Sequence, residues 1–219
     1  MEGNGERRKA EMTRTELLQV AKPILFNTDM VRAILEDRKT ATRRLVKQNV
    51  DTIVNSKFHK KYPEIPDKQI IEKLCKPPFE KGDILYVRET WSEWTDGYVY
   101  KAWSSPFPQQ GEASIMKWHP SIHMPREAAR IFLKVKDVRV ERLQDITEEQ
   151  VIREGIHYDK CPDGFTWKSQ TSMVNCYTSA KGAFEALWHS TINRDDFDKY
   201  GWDANPWVWV IEFERIEVE

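Results

Sequence analysis

The segment Ile131–Ile156, IFLKVKDVRVERLQDITEEQVIREGI, predicts a long strand that is followed directly by a capped helix. Apolar residues alternate with polar ones through Ile131–Arg142, which is the two-residue period of a half-buried strand. Thr147 and Gln150 then stand at the spacing of a capping box, and Gly155 supplies the residue that commonly ends a helix. A short helix is therefore expected between Thr147 and Gly155.

Strand and helix patterns continue on both sides of this segment without a regular alternation. Long strands with few helices between them do not match a repeated βα unit. The expected fold is α+β, with a mixed sheet curved into a small β-barrel and with flanking helices. Further strands are predicted at Ile24–Phe26, Ile84–Trp91 and Trp207–Val218, and helices at Asp29–Asp37 (capped by Thr28), Asp67–Leu74 and Ala180–Ile192.

The composition predicts one domain preceded by a tail. Residues 1–20 are polar and are expected to be loose or partly helical, whereas 21–219 is expected to form a single domain. The 219 residues are 40% apolar and include nine tryptophans, which is enough material for a core, and 32% of them are charged.

Charge and cysteine content limit the classes of function. The formal net charge is −1, so nucleic acid could bind only through a local basic patch. Three distant cysteines do not make a disulfide framework. The sequence contains no apolar run of about eighteen residues and no apolar leader. A cytoplasmic protein without membrane contact is expected.

The basic stretch Arg38–Arg44, RKTATRR, follows the end of the first predicted helix. Cations there complement the helix dipole, so a solvated helix end is one interpretation. A second is a phosphate clamp in which Arg43 and Arg44 donate paired hydrogen bonds. A third is catalytic, because Lys39 and Thr42 can share one face of a turn. A buried lysine with a lowered pKa can accept a hydroxyl proton.

Two other groups of residues suggest chemistry or binding. Glu154 lies in the last turn of its helix, where the dipole opposes a carboxylate, so it either has a function or is simply exposed. Trp91 can stack on a nucleobase, and its strand also carries Arg88 and Glu89. Packing in the core is the alternative for this tryptophan.

Metal and cofactor signatures are weak. His119 and His123 have helical spacing but enclose Pro120, and His157 with Cys161 makes only a partial set of ligands. The sequence has neither a glycine-rich phosphate loop nor a GxSxG elbow. We therefore expect no metal and no cofactor.

Three segments together resemble a known family: MVRAILEDRKTATRR from Met30, KGDILYVRETW from Lys81, and HPSIHMPREAARIFLKVKDVRVERLQDITEEQVIREGI from His119. They are similar to the ASCH domain of the PUA-like superfamily, and in particular to the long ASCH-like proteins of phages and prophages. The resemblance runs from about residue 23 to residue 156 and includes the closing strand WVWVIEFERI. Compared with the minimal domain, this chain carries insertions near 46–78, 92–118 and 157–180.

The resemblance implies a fold, a ligand class and a reaction. The fold is a PUA-like barrel with a cleft for a nucleoside, a modified nucleobase or single-stranded RNA or DNA. Small catalytic members carry a Lys-x-x-Thr and a later Glu, matched here by Lys39, Thr42 and Glu154. They are amidohydrolases that remove the acyl group from N4-acetylcytidine without a metal.

The resemblance leaves alternatives open. His123 and Arg126 lie in a segment that small members lack, so they either line the cleft, with Arg126 on a phosphate, or brace a loop. A non-catalytic RNA- or DNA-binding module using Arg38, Arg43, Arg44, Arg88 and Trp91 is the second hypothesis. Ribonuclease activity is the third. Protein partners are unknown.

Overall fold

The computed structural model describes residues 12–56, 61–95, 97–102, 116–161, 164–168 and 176–218. It is a mixed α+β fold with a mixed sheet, as expected. The strands are β1 (Lys22–Leu25), β2 (Ala41–Leu45), β3 (Ile84–Arg88), β4 (Trp91–Trp94), β5 (Gly97–Tyr100), β6 (Phe132–Arg142), β7 (His157–Cys161), β8 (Gly164–Lys168), β9 (Cys176–Tyr177) and β10 (Trp207–Ile216). The helices are α1 (Arg14–Val20), α2 (Thr28–Leu35), α3 (Val50–Val54), α4 (Asp67–Leu74), α5 (Glu148–Arg153), α6 (Ala180–His189) and α7 (Phe197–Tyr200).

A five-stranded sheet organises the fold in the order β1-β3-β6-β10-β2. The β1–β3 pair is parallel and the other pairs are antiparallel. Among the described residues, no backbone pairing joins the edge strands β1 and β2, so barrel closure is not observed. The Arg44 side chain on β2 nevertheless donates to the Leu25 carbonyl on β1 at 3.0 Å. We call this junction of the two edges the seam.

Both faces of the sheet carry buried apolar clusters. The main core contains Leu133 and Val210 from the sheet, together with Val31 of α2, Val151 of α5 and Phe184 of α6. A second core on the opposite side of β3 is formed by Leu17, Tyr86, Trp91, Met124, Phe132 and their neighbours. Close packing of apolar side chains on both faces therefore holds the sheet and its edge strands in place.

The helix before the basic stretch differs from the prediction at both ends. Its N-cap is Asn27 and not Thr28, because the Asn27 side chain accepts from the Met30 N–H at 2.8 Å. The helix ends at Leu35, and Asp37 follows with a φ of 55°. The helix therefore ends two residues before the predicted end at Asp37.

Only the start of the basic stretch RKTATRR is a helix end, and its second half is not the turn that was expected to bring Lys39 and Thr42 together. Ala41–Leu45 forms the edge strand β2, in which Thr42 pairs with Ile211 and Arg43 with Val210. Local sequence favoured a basic helix end, but pairing with β10 sets the conformation because it satisfies the backbone groups of this segment.

The tail and the insertions contain more structure than their composition indicates. Part of the tail is helical as predicted, since α1 begins with a Thr13 capping box and buries Leu17. Helix α4 lies at its predicted position within 46–78. Within the insertion near 157–180, strands β7, β8 and β9 form a small sheet. Tyr158 and Trp167 pair across it, with ring centroids 5.2 Å apart.

The predicted capping box of α5 is confirmed. It fixes the N-terminus of the helix, and Glu154 lies at the C-terminal end. Thr147 accepts from the Gln150 N–H, the Gln150 side chain accepts from the Thr147 N–H at 3.0 Å, and Gly155 follows with a φ of 95°. Only a residue such as glycine adopts that φ at little cost.

Replacing Thr147 by Ala removes the hydroxyl that accepts from the Gln150 N–H. We expect the free energy of unfolding to fall by about 0.5–2 kcal/mol, measured by urea denaturation. Thr147→Ser keeps the hydroxyl and is the matched control. Equal losses in the two variants would contradict the capping role.

Candidate functional site

Lys39 and Glu154 are brought together by the backbone. After α2, the N–H groups of Arg38 and Lys39 both donate to the Ala33 carbonyl, at 2.9 and 3.0 Å. Lys39 then forms an isolated antiparallel bridge with Glu154. These bonds place the start of the basic stretch beside the C-terminal end of α5, although the two residues are 115 positions apart.

The Lys39 ammonium is fully enclosed and fully hydrogen-bonded. Its Nζ lies 2.7 Å from Glu154 Oε2, 2.8 Å from the Ala41 carbonyl oxygen and 3.0 Å from the Glu154 carbonyl oxygen. The Lys39 side chain is 0% exposed and that of Glu154 is 4% exposed. Three acceptors match the three N–H bonds of a protonated lysine. The geometry of the pair is that of an ion pair between a lysine and a carboxylate.

The pKa of Lys39 is lowered from its ordinary value, mainly because burial disfavours the charged amine. The negative charge of Glu154 and its hydrogen bond act in the opposite direction, and the charges of Arg44 and Arg43 lower the pKa further. Lys39 therefore releases its proton more readily than an exposed lysine does.

Arg43 holds the second oxygen of Glu154. Its Nη1 donates to Glu154 Oε1 at 3.0 Å, and its Nη2 donates to Gln150 Oε1 at 3.0 Å and to Glu141 Oε2 at 3.4 Å. Both carboxylate oxygens of Glu154 are thus paired with cations. These cations offset the unfavourable interaction of Glu154 with the helix dipole, which was the anomaly visible in the sequence.

Thr42 lies beside this network but is bonded to a different arginine. Thr42 is 1% exposed, and its Oγ1 accepts from Arg44 Nη1 at 3.1 Å. No hydrogen bond between Lys39 Nζ and Thr42 occurs among the described residues. The expectation that Lys39 and Thr42 share a turn is therefore corrected, because Thr42 lies within β2.

Arg44 connects Thr42 to the seam. Its guanidinium also donates to the Arg43 and Leu25 carbonyls, at 3.2 and 3.0 Å, and lies 5.3 Å from the centre of the Phe26 ring. All these acceptors are neutral, and within the described residues no carboxylate lies within 4.0 Å of Arg44. Burial lowers the pKa of the Arg44 guanidinium, and the charge of Glu154 acts in the opposite direction.

Arg38 lies outside the buried network. Its Nε donates to Glu36 at 2.8 Å and its Nη1 to the Gly155 carbonyl at 2.8 Å. Arg38 thus supports the end of α5, which agrees with a structural role at a helix end better than with ligand binding.

Glu89, one of the predicted ligand-contacting residues, is buried and paired with an arginine. It is 0% exposed, and both of its oxygens accept from Arg130 at 2.9 Å. The Arg130 guanidinium lies 4.2 Å from the centre of the Tyr100 ring. Burial raises the pKa of Glu89, and Arg130 opposes that rise. This carboxylate fixes Arg130 within the fold and is not presented to a ligand.

Trp91 is also buried, and its ring packs against neighbouring aromatic side chains and is not exposed to a ligand. It is 6% exposed, its ring stacks on His119 with centroids 4.9 Å apart, and Tyr98 meets it edge-on at 5.5 Å. The alternative of core packing therefore describes Trp91 better than stacking on a nucleobase.

Arg88, His123 and Arg126 lie together on the outer side of β3, apart from the buried network. Arg88 donates to the Ile122 carbonyl in the short helical turn Ser121–His123. Arg126 donates to the Ala21 carbonyl at 2.7 Å. His123 and Arg126 are exposed.

Sequence reasoning missed Glu141 and Arg130, and it treated Gln150 only as a cap. Arg130 follows Glu89 by 41 positions, and Glu141 meets Arg43 across 98 positions. No local spacing signals such long-range pairs. An unexplained carboxylate in a strand pattern, as at Glu89, was the available hint.

Across the described ranges, no cluster of three His, Cys, Asp or Glu side chains could hold a metal ion. None of the helices described is long and apolar enough to cross a bilayer. The side chain of Cys161 lies outside the described residues, so its partial site with His157 stays a prediction. Comparison with protein-family models, curated proteins and solved structures found no match.

Replacing Lys39 by Met removes one cation from the buried Glu154 carboxylate. Breaking a buried ion pair by removing one partner costs about 3–5 kcal/mol, so we expect a loss of that size in the free energy of unfolding. Urea denaturation measures it, with Lys136→Met as the control, because the Lys136–Glu214 pair is about half exposed. A loss no larger than that of the control would show that the network is not electrostatically coupled.

The Tyr100 hydroxyl predicts an alkaline dependence of stability. Burial, reinforced by the nearby Glu89 charge, raises the pKa of Tyr100 to about 12, from an ordinary value of 10.0. Between these pH values the folded state binds more protons than the unfolded chain. The free energy of unfolding should therefore fall as pH rises, by up to about 1.4 kcal/mol per pH unit.

Urea denaturation at several pH values from about 9 to 11 measures this dependence. Tyr100→Phe removes the titrating group and should flatten the curve relative to the wild type. Tyr200→Phe, at a half-buried tyrosine far along the chain, is the control. Parallel curves for wild type and Tyr100→Phe would rule out the proton linkage.

Proposed function

We propose that this protein hydrolyses the amide of an N4-acylated cytidine or a related modified nucleoside, as an ASCH-type protein with a PUA-like barrel acting in the cytoplasm. The observation that carries the proposal is the buried Lys39–Glu154 ion pair. Thr42, the third residue that the family resemblance selects, follows Lys39 by three positions, lies on β2 and is bonded to Arg44.

The energetic cost of the network supports a functional role. Two buried cations and a buried carboxylate lose their hydration, and apolar residues of similar volume often stabilise a fold equally well. Strongly perturbed lysines cluster at functional sites, where a proton must move near neutral pH. The pKa of Lys39 is lowered from its ordinary value, mainly by burial.

Two routes for amide hydrolysis use these residues differently. In the first, neutral Lys39 takes the Thr42 proton, and Thr42 Oγ1 attacks the acyl carbon. The C–N bond then breaks as N4 takes the proton from Lys39, and water later cleaves the Thr42 ester. In the second, Glu154 takes a proton from water, whose oxygen bonds to the acyl carbon. Lys39 stabilises the oxyanion, and Glu154 returns the proton to N4 as the C–N bond breaks.

The ion-pair geometry matches the charges with which the second route begins, and in that route one Lys39 N–H exchanges its protein acceptor for the oxyanion as that charge forms. Lys39 Nζ has three acceptors within hydrogen-bond distance, and one of them is Glu154 Oε2. Thr42 Oγ1 is bonded to Arg44 and not to Lys39. In this arrangement Thr42 and Arg44 orient the substrate, and the acid–base work belongs to Glu154.

The test is chromatographic assay of N4-acetylcytidine incubated with the purified protein. Glu154→Gln and Lys39→Met should each lower kcat/KM by about 10²–10⁴-fold. Glu214→Gln and Lys136→Met change a matched exposed pair and should leave the rate unaltered. Each variant is first checked for a native circular dichroism spectrum, since Lys39→Met is expected to be destabilised.

Thr42→Val distinguishes the two routes. Loss of one orienting hydrogen bond lowers the rate by about tenfold, whereas loss of a nucleophile abolishes turnover. An acyl adduct on Thr42, seen by mass spectrometry, would establish the first route instead. Full activity in folded Glu154→Gln and Lys39→Met would overturn both routes.

A further inference from the structure

Arg43 joins the buried pair to the rest of the sheet. Its Nη1 donates to Glu154 Oε1 and its Nη2 donates to Gln150 Oε1, each at 3.0 Å. The same Nη2 lies 3.4 Å from Glu141 Oε2. Arg43 Nε is buried and has no hydrogen-bond partner among the described residues. The orientation of the guanidinium therefore depends on the acceptors that Glu154, Gln150 and Glu141 supply to its two outer nitrogens.

The register of the sheet places Glu141 beside Arg43. Arg43 on β2 and Arg139 on β6 are both paired with Val210, on the strand between them. Paired residues of an antiparallel sheet lie on the same face, and Glu141 shares that face because it follows Arg139 by two residues. Arg139 Nε donates to Glu141 Oε1 at 2.7 Å. Glu141 is thus held between two arginines, with one oxygen toward each.

Gln150 takes part in two interactions at once. Its Oε1 accepts from the Thr147 N–H and from Arg43 Nη2, both at 3.0 Å. A capping box is completed by glutamine or by glutamate at this position. A glutamate would add a negative charge at the contact with Arg43, whereas the amide of Gln150 is neutral. Gln150 therefore orients Arg43 without offsetting its charge.

The charges of this network are shielded from solvent. The side chains of Lys39 and Arg43 are 0% and 1% exposed, and those of Glu154 and Glu141 are 4% and 14% exposed. The charges that act on Lys39 are those of Glu154 at the end of α5 and of Arg44 and Arg43 on β2. Salt and water screen buried charges much less than exposed ones. A change of charge next to Arg43 should therefore alter the electrostatic potential at Lys39.

We propose that Glu141 and Gln150 are positioning residues, which orient Arg43 toward Glu154 and set the electrostatic potential at Lys39. Glu141 partly offsets the positive charge of Arg43, and neutral Gln150 leaves the remainder to act on the buried pair. Both act through Arg43, since Lys39 Nζ is hydrogen-bonded to neither of them. Only the consequence for hydrolysis rests on the proposed function, and the effect on Lys39 does not.

Opposite changes of charge at the same guanidinium test the proposal. Glu141→Gln removes a negative charge and should lower the pKa of Lys39 by about 0.5–1 pH unit, because a positive surrounding disfavours the ammonium. Gln150→Glu adds a negative charge and should raise the pKa of Lys39 by a similar amount. NMR titration of protein with isotope-labelled lysine measures the pKa, and the Lys39 signal is assigned by its loss in Lys39→Arg.

Matched variants separate charge from folding. Glu148→Gln and Gln69→Glu make the same two changes of charge on exposed side chains and should leave the pKa of Lys39 unaltered. Glu141→Asp keeps the negative charge and should titrate like the wild type. All variants are compared over the pH range in which their circular dichroism is native. A pKa of Lys39 that Glu141→Gln and Gln150→Glu leave unchanged, or move in the same direction, would overturn the proposal.

The consequence for catalysis is measured separately. In the second route Lys39 acts as a cation, so the alkaline limb of kcat/KM for N4-acetylcytidine should move to lower pH in Glu141→Gln and to higher pH in Gln150→Glu. Opposite shifts of the Lys39 titration in a protein that leaves N4-acetylcytidine intact refute the proposed reaction alone. Hydrolysis by a protein whose Lys39 titration both variants leave unmoved refutes the positioning role alone.

Discussion

The buried pair of Lys39 and Glu154 is the interaction on which the rest of the site depends. It joins the chain that leaves α2 to the C-terminal end of α5, and through Arg43 it fixes the edge strand β2 to the same helix. An ionised group in this interior is tolerated only with a partner of opposite charge. Pairing with β10 sets the conformation of β2, and the charge pairs join that strand and the end of α2 to α5.

Cationic side chains have different kinds of partner on the two sides of the seam. Inside, Lys39 and Arg43 are neutralised by Glu154, with Glu141 and Gln150 completing the hydrogen bonds. On the other side of β3, Arg88 and Arg126 donate to main-chain carbonyls, which orient a guanidinium without cancelling its charge, whereas Arg130 is paired with Glu89. Carbonyl support leaves a cation attractive to anions, whereas carboxylate support does not. Arg44 touches both regions, because it donates to Thr42 and to the carbonyl of Leu25.

Local signals in the sequence predicted those parts of the fold that depend on near neighbours. The Thr147 capping box, the alternation of β6 and the position of α4 are of this kind. Strand β2 was missed because its conformation comes from pairing with β10, more than 160 positions later. The family resemblance selected Lys39, Thr42 and Glu154, but no pattern showed that Arg44 holds Thr42. Glu89 was misplaced because its partner Arg130 is distant in sequence.

The edge strand β1 has a consequence for the behaviour of the protein in concentrated solution. An edge with free backbone groups is a template for association with strands of other copies. Pro23 in the middle of β1 has no N–H to offer, and Lys22 beside it is charged and half exposed. At the far end, the Leu25 carbonyl is already bonded to Arg44. The seam is thus left without a backbone ladder and is still protected against edge-to-edge aggregation.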